Sequence, residues 1–146
     1  MTWMYLNEIY DPKPSEMAPE KVYGIVYLIE NLENNRLYVG KKVFWFRGYK
    51  SIKLKNGKKK RKKILVESDW RDYYGSNTEL KKDIEKFGKD RFRRTILHTC
   101  ASKGICSYLE AKEQFDRRCI LDPMYYNDQI RLRCHRNHLA KLDPSL

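Results

Sequence analysis

Between positions 26 and 40 the chain reads Val-Tyr-Leu-Ile-Glu-Asn-Leu-Glu-Asn-Asn-Arg-Leu-Tyr-Val-Gly. Two short apolar runs flank a polar Asn34-Asn35 step, which is the pattern of a β-hairpin. The first run starts earlier, and residues 22–29 are almost continuously apolar. A strand of that composition is expected to be covered on both faces. The hairpin as a whole spans 21–40 and places Tyr27 and Tyr38 on adjacent strands.

Charge is the second constraint. The 146-residue chain carries a net charge of +12, and its basic residues are concentrated between 47 and 63. Arg47, Lys50, Lys53, Lys55, Lys58, Lys59, Lys60, Arg61, Lys62 and Lys63 fall there with no acidic residue among them. Phe44, Trp45, Phe46 and Tyr49 lead into the run. A like-charge block can be a solvated loop, but aromatics beside lysines favour an arm that grips nucleic-acid phosphates. Ile52 and Leu54 alternate with lysines, Asn56-Gly57 is a favoured two-residue turn, and Ile64-Leu65-Val66 can return as a strand. The segment is therefore expected to be an inserted basic hairpin or loop. DNA, RNA or an acidic surface would each satisfy the charge alone.

The remaining elements follow in order. Residues 1–20, with Pro12, Pro14 and Pro19, read as an extended lead-in. Ser76-Asn77-Thr78-Glu79 has the form of a capping box with Ser76 at the N-cap. The helix it opens carries Leu80, Ile84 and Phe87 at helical spacing and stops at Gly88. Residues 91–98 read as a strand, and a second helix is expected over 108–121 with Pro123 beyond it. Hairpin, helix, strand, helix is an α+β order, one domain in 146 residues, built on a small, mainly antiparallel three-stranded sheet flanked by helices. With 41% hydrophobic residues and a mean hydropathy of −0.80, no apolar run approaches the roughly 20 residues of a membrane span. The N-terminus lacks the layout of a signal peptide, so a cytoplasmic protein with free thiols is expected.

The Val-Tyr…Tyr-Val-Gly hairpin resembles the core of the GIY-YIG nucleases. The resemblance continues downstream. Leu80, Phe87-Gly88, Phe92 and Ile96-Leu97 look like a run found in homing endonucleases of this family. Leu109-Glu110-Ala111 is similar to the nuclease domain of the bacterial excision-repair incision subunit, and Tyr126-Asn127 is similar to the Tyr-Asn that closes the family domain. Together they cover about residues 22–130. The first glycine, Gly24, stands one place early, while Tyr27 and Tyr38 keep the family register. The arginine usual about eight residues after the Tyr-x-Gly glycine has no direct counterpart, because position 48 is glycine. Arg47 and Lys42 are the candidate cations.

The resemblance implies a DNA endonuclease with the GIY-YIG fold that uses Mg²⁺ or Mn²⁺ and leaves a 5′-phosphate and a 3′-hydroxyl. It implies Glu110 as the metal ligand, with Glu113, three residues on and on the same helix face, as the alternative. Tyr27 would position the attacking water, Tyr38 would hydrogen-bond phosphate or water, and Lys42 or Arg47 would supply positive charge. Asn127 would hold the site together through its amide. Double-strand cleavage would need a self-dimer or two visits. The likeness to mobile or phage-encoded members points to the cytoplasm of a bacterial host. DNA recognition would fall to the 47–63 arm, the chain ends or a partner.

Two other arrangements compete. Cys100, Cys106, Cys134 and His138 could be assembled into a zinc site, but without a Cys-x-x-Cys pair buried thiols and surface histidines are favoured. A catalytically inactive DNA- or RNA-binding protein on the same scaffold is the alternative function.

Overall fold

The structure is a computed structural model and describes residues 2–146. Seven strands and two α-helices follow in chain order: β1 (Trp3–Tyr5), β2 (Glu8–Ile9), β3 (Gly24–Asn31), β4 (Leu37–Val43), β5 (Trp45–Lys53), β6 (Lys59–Glu67), α1 (Thr78–Phe87), β7 (Phe92–Cys100) and α2 (Lys103–Asp116). The apolar run predicted to be covered on both faces is β3. It lies between β4 and β7, antiparallel to both, and Ile25, Val26, Tyr27 and Ile29 are buried.

The sheet is larger than the three strands expected from sequence. Its order is β2-β1-β7-β3-β4, five strands, with β1 parallel to β7 and every other pairing antiparallel. The lead-in thus supplies two strands rather than an extended tail. Trp3 anchors it, buried against the Tyr27 ring with centroids 5.3 Å apart, its indole N–H donating to the Trp70 carbonyl at 2.8 Å.

Two cores lie on opposite faces. Period-two alternation sends Ile25, Tyr27 and Ile29 of β3 to one face, where Trp70, Phe44, Leu80 and Phe92 join them. Val26 and Val39 point the other way and pack with Ile105, Cys106 and Leu109 of α2. Arg94 is buried on the first face, stacked 4.5 Å from Trp3 and 4.1 Å from Tyr74, and donates to the Arg71 and Tyr73 carbonyls. These bonds tie the segment before α1 to the sheet.

Both helices shift from their expected bounds for reasons of capping. Asn77, not Ser76, is the α1 N-cap; its side chain accepts from the Leu80 amide at 3.0 Å and donates to the Tyr126 carbonyl at 3.0 Å. Glu79 pairs with Arg36 instead of closing a capping box. Gly88 ends the helix as expected, with φ 87° and its amide on the Ile84 carbonyl. α2 begins five residues earlier than predicted because Ser102 caps it by accepting from the Ile105 amide, and it stops at Asp116. Arg118, with φ 57°, turns the chain away before Pro123 is reached.

The basic segment folds as expected into a two-stranded ribbon, β5 paired with β6 in full register. Its turn has three residues rather than two. The Gly57 amide donates to the Leu54 carbonyl, and Gly57 at φ 81° occupies the left-handed position that closes such a loop. Lys50 lies opposite Lys62 and Lys53 opposite Lys59. Like charges directly opposed weaken a ribbon by themselves.

Candidate active site

The open edge of β4 is where the separate pieces of the chain meet. Every second residue of this edge strand turns its backbone outward, and each of three successive outward steps has a different partner. Leu37 accepts from the Tyr126 amide at 2.7 Å and donates to the Met124 carbonyl at 2.9 Å. Val39 donates to Oδ1 of Asn127 at 3.0 Å and accepts from its Nδ2 at 2.8 Å. The Lys41 backbone lies close enough to the Glu110 carboxylate to lower its pKa. Asn127 thus takes the place of a strand residue with its side chain, and at 9% exposure it is held rigidly. Gln114, one turn beyond Glu110 on α2, adds a second donor to the Val39 carbonyl at 3.1 Å.

Along this edge runs a cleft of about 420 Å³ lined by Tyr38, Lys41, Ser76, Glu110, Asn127 and Asp128, among others. Three residues expected from sequence, Tyr38, Glu110 and Asn127, are brought together there. Tyr27 is not in the wall but directly behind it. It is 1% exposed, with its ring 6.2 Å from Tyr38 and 6.1 Å from Tyr73. Burial pushes its phenol well above the ordinary value of 10.0, and the Tyr38 and Tyr73 neighbours and a hydrogen bond to Tyr73 add to the rise. Tyr38 is raised less. Burial raises it, but a hydrogen bond from Ser76 acts in the opposite direction.

Gly40 is what allows the two phenols to approach. A Cβ at this position would stand 2.6 Å from the Tyr27 hydroxyl and 2.9 Å from Cε1 of Tyr38. Beside Tyr27 the register between β3 and β7 slips, with Val26 opposite His98 and Tyr27 opposite Ile96. A bulge of this kind re-aims neighbouring side chains and is common beside active sites.

The two candidate cations lie elsewhere. Lys42 falls on the opposite side of β4 from Lys41 and pairs with Asp69 at 2.7 Å while covering the Tyr73 ring at 4.2 Å. Arg47 is exposed on β5, opposite Leu65. Neither lines the cleft; Lys41 and Arg131 do. Sequence reasoning missed Lys41, Ser76, Gln114 and Asp128; strand parity, which puts Lys41 with Val39 on the α2 side of β4 and Lys42 with Tyr38 on the other, is the signal that separates the two lysines. Glu113 does not line the cleft either. It bonds His98 at 2.8 Å and Arg117 at 2.9 Å. Burial raises its pKa, and the bonds from Arg117 and His98 outweigh that and leave it below the ordinary carboxylate value.

Glu110 moves the other way. Burial raises its pKa above 4.5, and Lys41 only partly offsets the rise. A group with a raised folded pKa favours the folded state when protonated, so that contribution is lost as pH rises through the folded value. Glu110→Gln is therefore expected to raise the melting temperature at pH 7–8, with the gain fading as pH falls through the raised folded value and gone below the ordinary glutamate value of about 4.3. Thermal melts of both forms across that range check it.

Cys100 and Cys106 lie in the buried α2-side core, away from Cys134 in the C-terminal segment, and all four thiols are free. No group of three or more His, Cys, Asp or Glu residues clusters among the described residues. Glu110, Asp128 and Gln129 bring side-chain oxygens to the cleft wall. That set fits a hard cation such as Mg²⁺, which keeps several waters and needs one or two carboxylates.

Comparison with known families decides the relationship. The family model described as "Putative endonuclease segE, GIY-YIG domain" matches residues 3–130. The chain belongs to this GIY-YIG family. No curated protein and no solved structure matches it. Membership implies nuclease activity. The match begins at Trp3 rather than near residue 22, so β1, which pairs with β7, and β2, which pairs with β1, are part of the GIY-YIG domain. It ends three residues after Asn127, one short of Arg131, the last residue of the cleft wall. Among the described residues no helix is long and apolar enough to cross a membrane.

Proposed function

We propose that this GIY-YIG chain is a divalent-metal-dependent DNA endonuclease that hydrolyses phosphodiester bonds in the β4-edge cleft, leaving 5′-phosphate and 3′-hydroxyl ends. The observation that carries the reading is the convergence of Tyr38, Glu110 and Asn127, from three distant parts of the chain, on one cleft that also holds Lys41 and Arg131.

Glu110 would hold the cation, Mg²⁺ or Mn²⁺, and Asp128 would be the second carboxylate available to it on the cleft wall. A bound divalent cation stabilises negative charge on the phosphoryl oxygens and on the leaving oxygen. Lys41 and Arg131 draw the phosphate into the cleft and oppose its charge. Tyr38, in the wall and bonded by Ser76, is the phenol that meets the attacking water. Tyr27 keeps its proton at neutral pH and acts from behind, fixing the Tyr38 ring and the backbone at Gly40. Asn127 is a positioning residue: by fixing Val39 it sets Tyr38 and Lys41 on their respective sides of the strand. Lys42 and Arg47 contribute field and substrate contact from outside the cleft.

The β5–β6 ribbon, from Lys50 to Lys63, grips phosphates along the duplex. One cleft cuts one strand, so a double-strand break takes a second copy of the chain or a second visit.

Supercoiled plasmid incubated with the protein and Mg²⁺ is expected to become open circles that DNA ligase reseals, and EDTA is expected to stop the conversion. No cutting of plasmid, linear or branched DNA would overturn the enzyme assignment. Nicks that ligase cannot seal would overturn the assigned end groups.

A further inference from the structure

Beyond the cleft, a second and larger hollow of about 1060 Å³ opens between the start of α2 and the segment after residue 130. The two hollows share Lys41 and Arg131, so one leads into the other. Lys103 projects into the second hollow from α2, and Arg133 and Lys141 from the C-terminal segment. No carboxylate lines it, and none of these five cations forms an ion pair among the described residues.

The C-terminal wall is a seated part of the fold. Leu139 and Leu142 pack against the α2-side core. A Cβ at Gly104 would fall 2.6 Å from Cβ of His138, so only a glycine lets this segment lie so close to α2. The wall is also built from residues after the segment that matches the family model.

We propose that this trough is a second DNA-binding site, which holds the backbone of the strand leading away from the scissile phosphate. The proposal rests on the nuclease reading of the cleft and names the path of its substrate. Five cations that form no ion pair, in a trough adjoining the cleft, suit a polyanion that must enter both. The trough is separate from the β5–β6 ribbon, which makes the substrate contact bipartite.

The test compares three forms of the full chain: wild type, the triple variant Lys103→Ala, Arg133→Ala and Lys141→Ala, and a control with Lys81→Ala, Lys82→Ala and Lys86→Ala on α1. All the replaced residues are exposed. Binding of a fluorescein-labelled DNA duplex is followed by anisotropy in EDTA from 50 to 200 mM salt. Losing three phosphate contacts lowers the slope of log affinity against log salt by about 2.7. Over that range wild-type binding then weakens about 40-fold more than binding by the trough variant. The α1 control is expected to change the slope by less than about 1.

An unchanged slope in the trough variant, an equal loss in the control, or tighter binding of an RNA duplex at fixed salt would overturn the proposal. Plasmid nicking by wild type, run alongside, separates the two ideas. An idle wild type overturns the nuclease reading, while the slope still decides whether the trough binds DNA.

Discussion

Glu110→Ala is expected to reduce plasmid nicking by about 10²–10³-fold at saturating DNA, the scale of loss when a group that stabilises transition-state charge is removed. DNA affinity in EDTA is expected to stay near wild type, because the ribbon and the trough carry the phosphate contacts. Glu113→Ala provides the contrast. Glu113 is tied to His98 and Arg117, so its loss leaves the cleft intact and the fold weakened. Its depressed pKa means that it stabilises the fold above the unfolded carboxylate value, and this is lost as pH falls through the folded one. The melting temperature of Glu113→Ala is therefore expected to fall at neutral pH and to approach wild type in acid, with nicking largely kept at temperatures where it is folded. Nicking lost in Glu113→Ala and kept in Glu110→Ala would move the metal to the other carboxylate.

The second large effect is expected at Gly40. The added methyl group of Gly40→Ala meets the Tyr27 hydroxyl at 2.6 Å and Cζ at 2.8 Å, while Tyr38 stands 2.9 Å away on the other side. Tyr27 cannot retreat, since Trp3 and Tyr73 pack against it. Overpacking a filled core costs about 1–3 kcal/mol. Urea unfolding reads that loss. Because the displaced rings are those proposed to meet water and support the cleft, nicking by the folded variant should also fall. Gly48→Ala on the ribbon is the comparison. Its Cβ meets the side-chain tip of Val66 at 2.8 Å, where a rotation relieves the contact, and both measures should stay near wild type.

Local patterns carried much of the fold. β3 and β4 were legible because a doubly covered strand is nearly all apolar, and the ribbon because alternation brackets Asn56-Gly57. The helices were legible by spacing, and their ends were not: Ser76, Asn77, Thr78 and Ser102 are all plausible caps, and only contact with Leu80 or Ile105 selects among them. β1 and β2 escaped notice because strands of three and two residues leave no periodic signal. β1 depends on pairing with β7, about 90 residues away in the chain, and β2 on pairing with β1. The site followed the same rule. Tyr38, Glu110 and Asn127 are named by the family motifs, but the choice of Lys41 over Lys42 depends on which side of β4 faces α2. The Leu109-Glu110-Ala111 motif favours Glu110, but that Glu113 turns to His98 and Arg117 instead of the cleft is visible only in the packing.

The central claim is that the β4-edge cleft is the metal-bearing nuclease centre, and iron-directed backbone cleavage tests it most directly. Fe²⁺ is loaded in place of Mg²⁺, and ascorbate with peroxide then breaks the polypeptide beside the bound ion. Fragments are expected to end near Tyr38 and Lys41, near Glu110, and near Asn127 and Asp128, and all of them are expected to be lost in Glu110→Ala. Fragments centred on Glu113 and His98 or on Cys134 and His138, or cleft fragments that persist in Glu110→Ala, would contradict it.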